Sequence, residues 1–158
     1  MTAPDTPQTQ TPVLPALADF PFLTALVVTG APAPDGGALY ESGDVDEIFP
    51  FASVTKPIVA WSALVAVDRG LLDLDAPAGA PAPDGATIGH LLSHSSGIAT
   101  DSDERLATPG TRRIYSNRGI EILGERLQEA TGTPLETWVE STVLEPLGMA
   151  SVLIPGSP

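Results

Sequence analysis

At 158 residues, 42% of them apolar, the chain is long enough to bury a core of its own and is neither membrane-like nor wholly disordered in composition. Seven basic against twenty acidic side chains give a formal charge of −13, which repels nucleic-acid phosphates and anionic lipid surfaces, so neither is an expected partner. The absence of cysteine excludes disulfides, thiolate nucleophiles and thiolate metal sites.

In chain order, residues 1–15 carry four prolines among Thr, Gln and Ala and are expected to be extended or disordered. The opening segment MTAPDTPQTQTPVLPAL lacks the basic and apolar regions of a secretory signal. The longest apolar run, Pro57 to Val67, is interrupted by Ser62 and too short to span a bilayer. The expectation is a cytoplasmic protein without a membrane segment. From Leu23 to Thr29 the β-branched and apolar residues predict a strand, APAPDGG a turn, and Ala38 to Ser42 an antiparallel partner.

Phe49 to Asp68 predicts a long helix with apolar residues on nearly every side, an interior pattern, closed by Arg69 and a Gly70 cap. Pro57 inside a regular helix would cost about 3 kcal/mol. The helix proper should therefore start near Lys56, with an irregular turn over Ser53. Thr87 caps a short helix running to His94, and a further helix runs from Asn117 to about Thr131 with Gly132 as its stop. Thr133, Pro134 and Glu136 suit the cap, first position and capping-box acid of a last helix, with Leu135, Trp138, Val139, Thr142 and Val143 at helical spacing.

Lys56 is the chain's single lysine and stands three residues after Ser53. In a first turn of 3₁₀ type such residues nearly eclipse, which brings a hydroxyl and an amine within hydrogen-bonding reach. A serine becomes a nucleophile only beside a base that takes its proton. Lysine is that base when uncharged, a state favoured by apolar burial and by the positive end of a helix dipole. The same helix start presents backbone N–H groups toward a developing oxyanion. Alone, these residues equally describe an ordinary helix start, with Ser53 as cap and Lys56 reaching water.

Tyr115, Ser116 and Asn117 precede the Asn117 helix, where Ser116 or Asn117 is the cap and Tyr115 a staple packing on the helix. A phenol and an amide fixed there can also face a cleft, as proton carrier and substrate anchor. His90 and His94 have the i, i+4 spacing of a zinc pair, with Asp101, Asp103 and Glu104 close behind. Only two histidines exist and no H-E-x-x-H is formed, so metal binding is disfavoured. Asp73 and Asp75 are read as turn residues.

The sequence phrases FPFASVTKP, RGLLDLDAP, HLLSHSSGI, PGTRRIYSN and LEPLGM, which follow one another from Phe49 to Met149 within a likeness over about residues 24–150, resemble the serine β-lactamase and D-alanyl-D-alanine peptidase superfamily, specifically its class C β-lactamase-related hydrolases. The resemblance implies an α/β (α+β) fold, an antiparallel sheet packed by helices plus a helical region, with no metal or cofactor. It implies that Ser53 is acylated by an ester, amide or β-lactam substrate and that Lys56 assists its deprotonation. Tyr115 would act with Lys56 as base and then protonate the leaving group, Asn117 would bind the substrate's amide or carbonyl, and the Ser53 N–H would be one of two oxyanion donors.

The family's third motif, H-x-G or K-T-G on a later strand, does not follow here. A two-stranded hairpin cannot cover an apolar helix such as 57–67. Residues 16–158 are therefore expected to be the N-terminal portion of a larger domain, completed by a second polypeptide, a downstream segment or self-association. The alternative is a non-catalytic fragment or binding remnant of the same fold.

Overall fold

The computed structural model describes residues 47–152 and the backbone of two strands, 25–29 and 38–43. The chain divides into two compact units, residues 1–50 and 51–158. In the first, β1 (Ala25–Thr29) pairs antiparallel with β2 (Ala38–Gly43), Ala25 opposite Gly43 and Val28 opposite Tyr40, with the register shifting between Val28 and Thr29. Val27, Val28 and Thr29 are β-branched and suit a pleated strand. The expected segment 1–15, the strand start at Leu23 and the turn over 31–37 lie outside the described residues.

The second unit is built from helices. A 3₁₀ turn, Ala52–Val54, leads into α1 (Thr55–Asp68), so the helix starts where Pro57 requires. Pro57 occupies the third helical position, where a missing N–H leaves no intrahelical bond unmade. The far end closes in a Schellman motif: Leu71 N–H donates to the Ala66 carbonyl at 2.9 Å and Gly70 N–H to that of Val67 at 2.9 Å, with Gly70 left-handed at φ +70°. Then come α2 (Ile88–Leu92), α3 (Asn117–Thr131) and α4 (Leu135–Val139), which continues into a π-helical turn, Glu140–Leu144. The short helix expected to reach His94 stops at Leu92, because His94 itself is left-handed at φ +57°.

The core gathers Val59, Ala63 and Ala66 of α1, Ile88 and Leu91 of α2, Ile98, then Ile122, Leu123 and Leu127 of α3, and Trp138 of α4. Fully buried Ala63 and Ala66 are small enough to let α1 approach its neighbours closely. Trp138 ties α4 to α1, its Nε1–H donating to the Ser62 carbonyl at 3.0 Å and its ring lying 5.3 Å from the Arg69 guanidinium.

One expectation is corrected. The capping box at Thr133 and Glu136 does not form: Pro134 stands at the cap, and the Leu135 N–H donates to Oε1 of Gln128, in the last turn of α3, at 3.0 Å. On α1 itself, as expected of an apolar helix with too little sheet to cover it, Pro57, Trp61 and Leu64, together with Val54 in the turn before it, form an open apolar stripe in which Val54 is 60%, Trp61 58% and Leu64 45% exposed. Among the described residues no helix is long and apolar enough to cross a membrane.

Gly97 holds the loop that follows α2. It is left-handed at φ +84°, and a Cβ there would stand 2.0 Å from the Ala107 carbonyl oxygen. Gly97→Ala is therefore expected to lower the unfolding free energy by at least ~2 kcal/mol, read by urea denaturation, because it combines an unfavourable φ with a backbone clash.

Candidate active site

Ser53 is reached through Ala52, held at φ +45°, a conformation that costs a non-glycine residue roughly 1–2 kcal/mol. Val54 N–H closes the following turn on the Phe51 carbonyl at 2.8 Å. Ser53 and Lys56 then share a face, and Lys56 Nζ donates to Ser53 Oγ at 3.2 Å. Lys56 Nζ also lies 4.8 Å from the centre of the Tyr115 ring.

Tyr115 is aimed there by the start of α3. Ser116 is the cap of that helix: its buried Oγ accepts from Gly119 N–H at 2.8 Å and donates to the Ala99 carbonyl at 2.6 Å. This anchors the backbone between helix and loop and fixes the direction in which Tyr115 leaves it. The Tyr115 ring is 47% exposed and faces Lys56 on one side and His94 on another, the two ring centres 4.8 Å apart.

Charge distribution follows from these contacts. The Tyr115 phenol is held below its ordinary ionisation range, first by Lys56 as a hydrogen-bonding neighbour and then by Ser53, while slight desolvation opposes the shift and the Lys56 charge adds to it. The His94 imidazole is pushed down as well, first by burial and then by the positive charges of Arg113 and Lys56.

Asn117, the first residue of α3, is half-buried and turns its amide N–H to Asp101 Oδ1 at 2.5 Å. Arg118 beside it bonds Asp103 at 2.6 Å and Glu121 and Glu125 at 3.2 Å each, which holds its guanidinium still more firmly charged. Its backbone N–H donates to the Thr100 carbonyl at 2.9 Å. The acidic loop 100–104 is thus laced to the head of α3.

Of the four residues singled out in the sequence, the structure gathers Ser53, Lys56 and Tyr115, and sets Asn117 two positions further on, facing Asp101. The two histidines are engaged separately: His90 Nδ1 accepts from Thr87 N–H at 3.1 Å in the cap of α2, and His94 Nδ1 accepts from Ser116 N–H at 3.2 Å. Asp73 Oδ1 accepts from the Asp75 N–H at 2.9 Å, which is turn geometry. Among the described residues no group of three or more His, Cys, Asp or Glu could hold a metal ion.

Residue spacing gave no notice of His94 and Thr100 as neighbours of Tyr115. Thr100 Oγ1 donates to the Tyr115 carbonyl at 3.0 Å across fifteen positions. The available signal was the histidine directly before S-S-G, at a place where a helix ends.

The Beta-lactamase family model matches residues 27–157. Esterase EstB of Burkholderia gladioli is 36% identical over 148 aligned positions, covering 66% of this chain and 38% of the esterase. The D-alanyl-D-alanine-carboxypeptidase/endopeptidase AmpH of Escherichia coli is 25% identical over 148 positions, covering 72% of this chain and 38% of that protein. In the solved structure of a beta-lactamase from Mycobacterium bovis, 43% identical, the match reaches a TM-score of 0.77 over 89% of this chain and 50% of that one. The chain thus spans 38% of the length of these two curated relatives.

Two expectations follow from the geometry. Ser116→Ala leaves the Gly119 N–H and Ala99 carbonyl without their partner and should cost about 1–2 kcal/mol in denaturant unfolding. For His94, the folded value lies below that of the unfolded chain, about 6.5. Its contribution to stability is therefore complete above that pH and is lost as pH falls below it, because the unfolded chain binds the extra proton. Thermal melts at pH 7 and below should show a decline that His94→Asn reduces.

Proposed function

On the premise that this chain belongs to the beta-lactamase family and has the β-lactamase/transpeptidase fold of its solved neighbours, we propose that it is a serine hydrolase cleaving an ester, amide or β-lactam through an acyl-Ser53 intermediate. The observation that carries the reading is the approach of Lys56 Nζ to Ser53 Oγ at 3.2 Å, with the Tyr115 ring 4.8 Å from the same nitrogen.

In the proposed sequence Ser53 Oγ attacks the substrate carbonyl as its proton passes to the Lys56–Tyr115 pair. A phenol that ionises below its ordinary range suits a group that takes up that proton and then gives it to the leaving alkoxide or amine. The Ser53 N–H, at the strained turn, would donate to the oxyanion. Water then enters, gives a proton back to the pair and releases the acid, restoring the Ser53 hydroxyl. Asn117 would bind the substrate's amide or carbonyl region, its amide oriented by Asp101. No metal or cofactor enters these steps.

A second reading, a non-catalytic module of the same fold, draws on one observation: the apolar stripe of Val54, Trp61 and Leu64 stands open beside the exposed Ser53. Such a stripe calls for cover. We infer that the working site includes structure beyond the described residues, supplied by a completing polypeptide segment or by self-association.

Turnover of a chromogenic aryl ester separates the readings. The hydrolase should show a burst and steady turnover, Ser53→Ala should lose both, and Tyr115→Phe should be slowed by about 10²-fold or more. Turnover that survives Ser53→Ala contradicts the assignment, whereas a wild-type chain with neither burst nor turnover favours the non-catalytic module.

A further inference from the structure

We propose that His94 is a positioning residue that holds the Tyr115 phenol in place against Lys56 and Ser53; the proposal rests on the role given to Tyr115 above.

The two backbone N–H groups that flank Tyr115 both end on this one histidine. Ile114 N–H donates to the His94 carbonyl at 2.8 Å, and Ser116 N–H donates to His94 Nδ1 at 3.2 Å, across twenty-two positions of sequence. Thr100 Oγ1 takes the carbonyl between them at 3.0 Å. The imidazole and phenol rings also meet, centres 4.8 Å apart and planes tilted by 41°. His94 thus contacts Tyr115's ring and both of its peptide neighbours. It does so from a left-handed backbone, φ +57°, an uncommon conformation for histidine that the surrounding bonds maintain.

The chemistry of the clamp requires a neutral ring. Nδ1 can accept from Ser116 N–H only while it carries no proton, which places the ring proton on Nε2. The charged and titratable groups facing the ring are Arg113 from the segment it clamps, Lys56 from α1, and Tyr115 itself; both cations disfavour an imidazolium there. A protonated His94 would turn a donor toward the Ser116 N–H and release the segment that carries the phenol.

The test uses the two tyrosines of the chain. In a Tyr40→Phe background, Tyr115 is the only phenol, and its ionisation is read directly by ultraviolet titration. His94→Gly keeps the left-handed backbone and removes the ring; His94→Asn keeps the backbone and offers Oδ1 to the Ser116 N–H.

With His94 intact, the phenol should ionise below its ordinary value of about 10. The Gly variant should return it toward that value, and the Asn variant should retain most of the depression. Aryl-ester kcat should fall by about 10²-fold in the Gly variant with KM little changed, and recover in large part in the Asn variant. A folded Gly variant whose phenol titrates as in wild type overturns the proposal, as does an Asn variant that folds yet titrates with the unclamped phenol. Should the Gly variant not fold, the pH profile decides: wild-type kcat should fall as His94 takes up a proton at acid pH, a fall that the non-titrating Asn variant should lack, and identical profiles overturn the proposal. Absence of ester hydrolysis in every chain would count against the hydrolase reading and leave the phenol titration to decide the role of His94.

Discussion

The meeting of Ser53 and Lys56 is set by one short piece of backbone. A left-handed Ala52, a single 3₁₀ turn and a helix that begins only at Thr55 bring the hydroxyl and the amine to 3.2 Å. Moved one residue earlier, the helix would place Pro57 deeper in its interior; moved later, it would lose the turn that aligns the two side chains. The rest of the helical unit serves this arrangement. Fully buried Ala63 and Ala66 seat α1 in the core, Trp138 and Arg69 secure its far half, and the buried Ser116 brings the start of α3 to the same place.

The second half of the site is carried by a loop that depends on both neighbours. His94 and Thr100 take the backbone groups around Tyr115, while Asn117 and Arg118 reach back to Asp101 and Asp103. The result is a reciprocal lacing in which the segment after α2 and the head of α3 each supply the other's partners. The acidic partners of Arg118 are solvent-facing and such pairs are individually weak, so their contribution lies in orientation more than in stability. Gly97 lets the loop fold back on itself at the one point where a side chain would collide with Ala107.

Local chemistry made much of this legible. Proline placed the start of α1, Gly70 and Gly132 marked two helix ends, and Ser116 marked a helix beginning. The S-x-x-K and Y-S-N groups were visible as spacings, and the structure brings Ser53, Lys56 and Tyr115 together. Features that depend on distant partners were not legible. Gln128 replaces Thr133 as the partner of α4's first N–H because the preceding helix ends beside it. The spacing of His90 and His94 was read as not metal-binding, but the different backbone N–H that each ring accepts could not be foreseen from it. That α1 lacks cover was legible, but which residues stand open was not, since an apolar pattern shows what can be buried and not what buries it.

The central claim is that Ser53, in contact with Lys56, is the one nucleophile among the chain's serines. Peptide mapping by mass spectrometry after treatment with a fluorophosphonate tests it most directly, because the reagent loses fluoride only to an activated hydroxyl. The account predicts one phosphonylated residue, Ser53, in the peptide that contains Lys56. Modification at a different serine, or an unmodified chain, would contradict it.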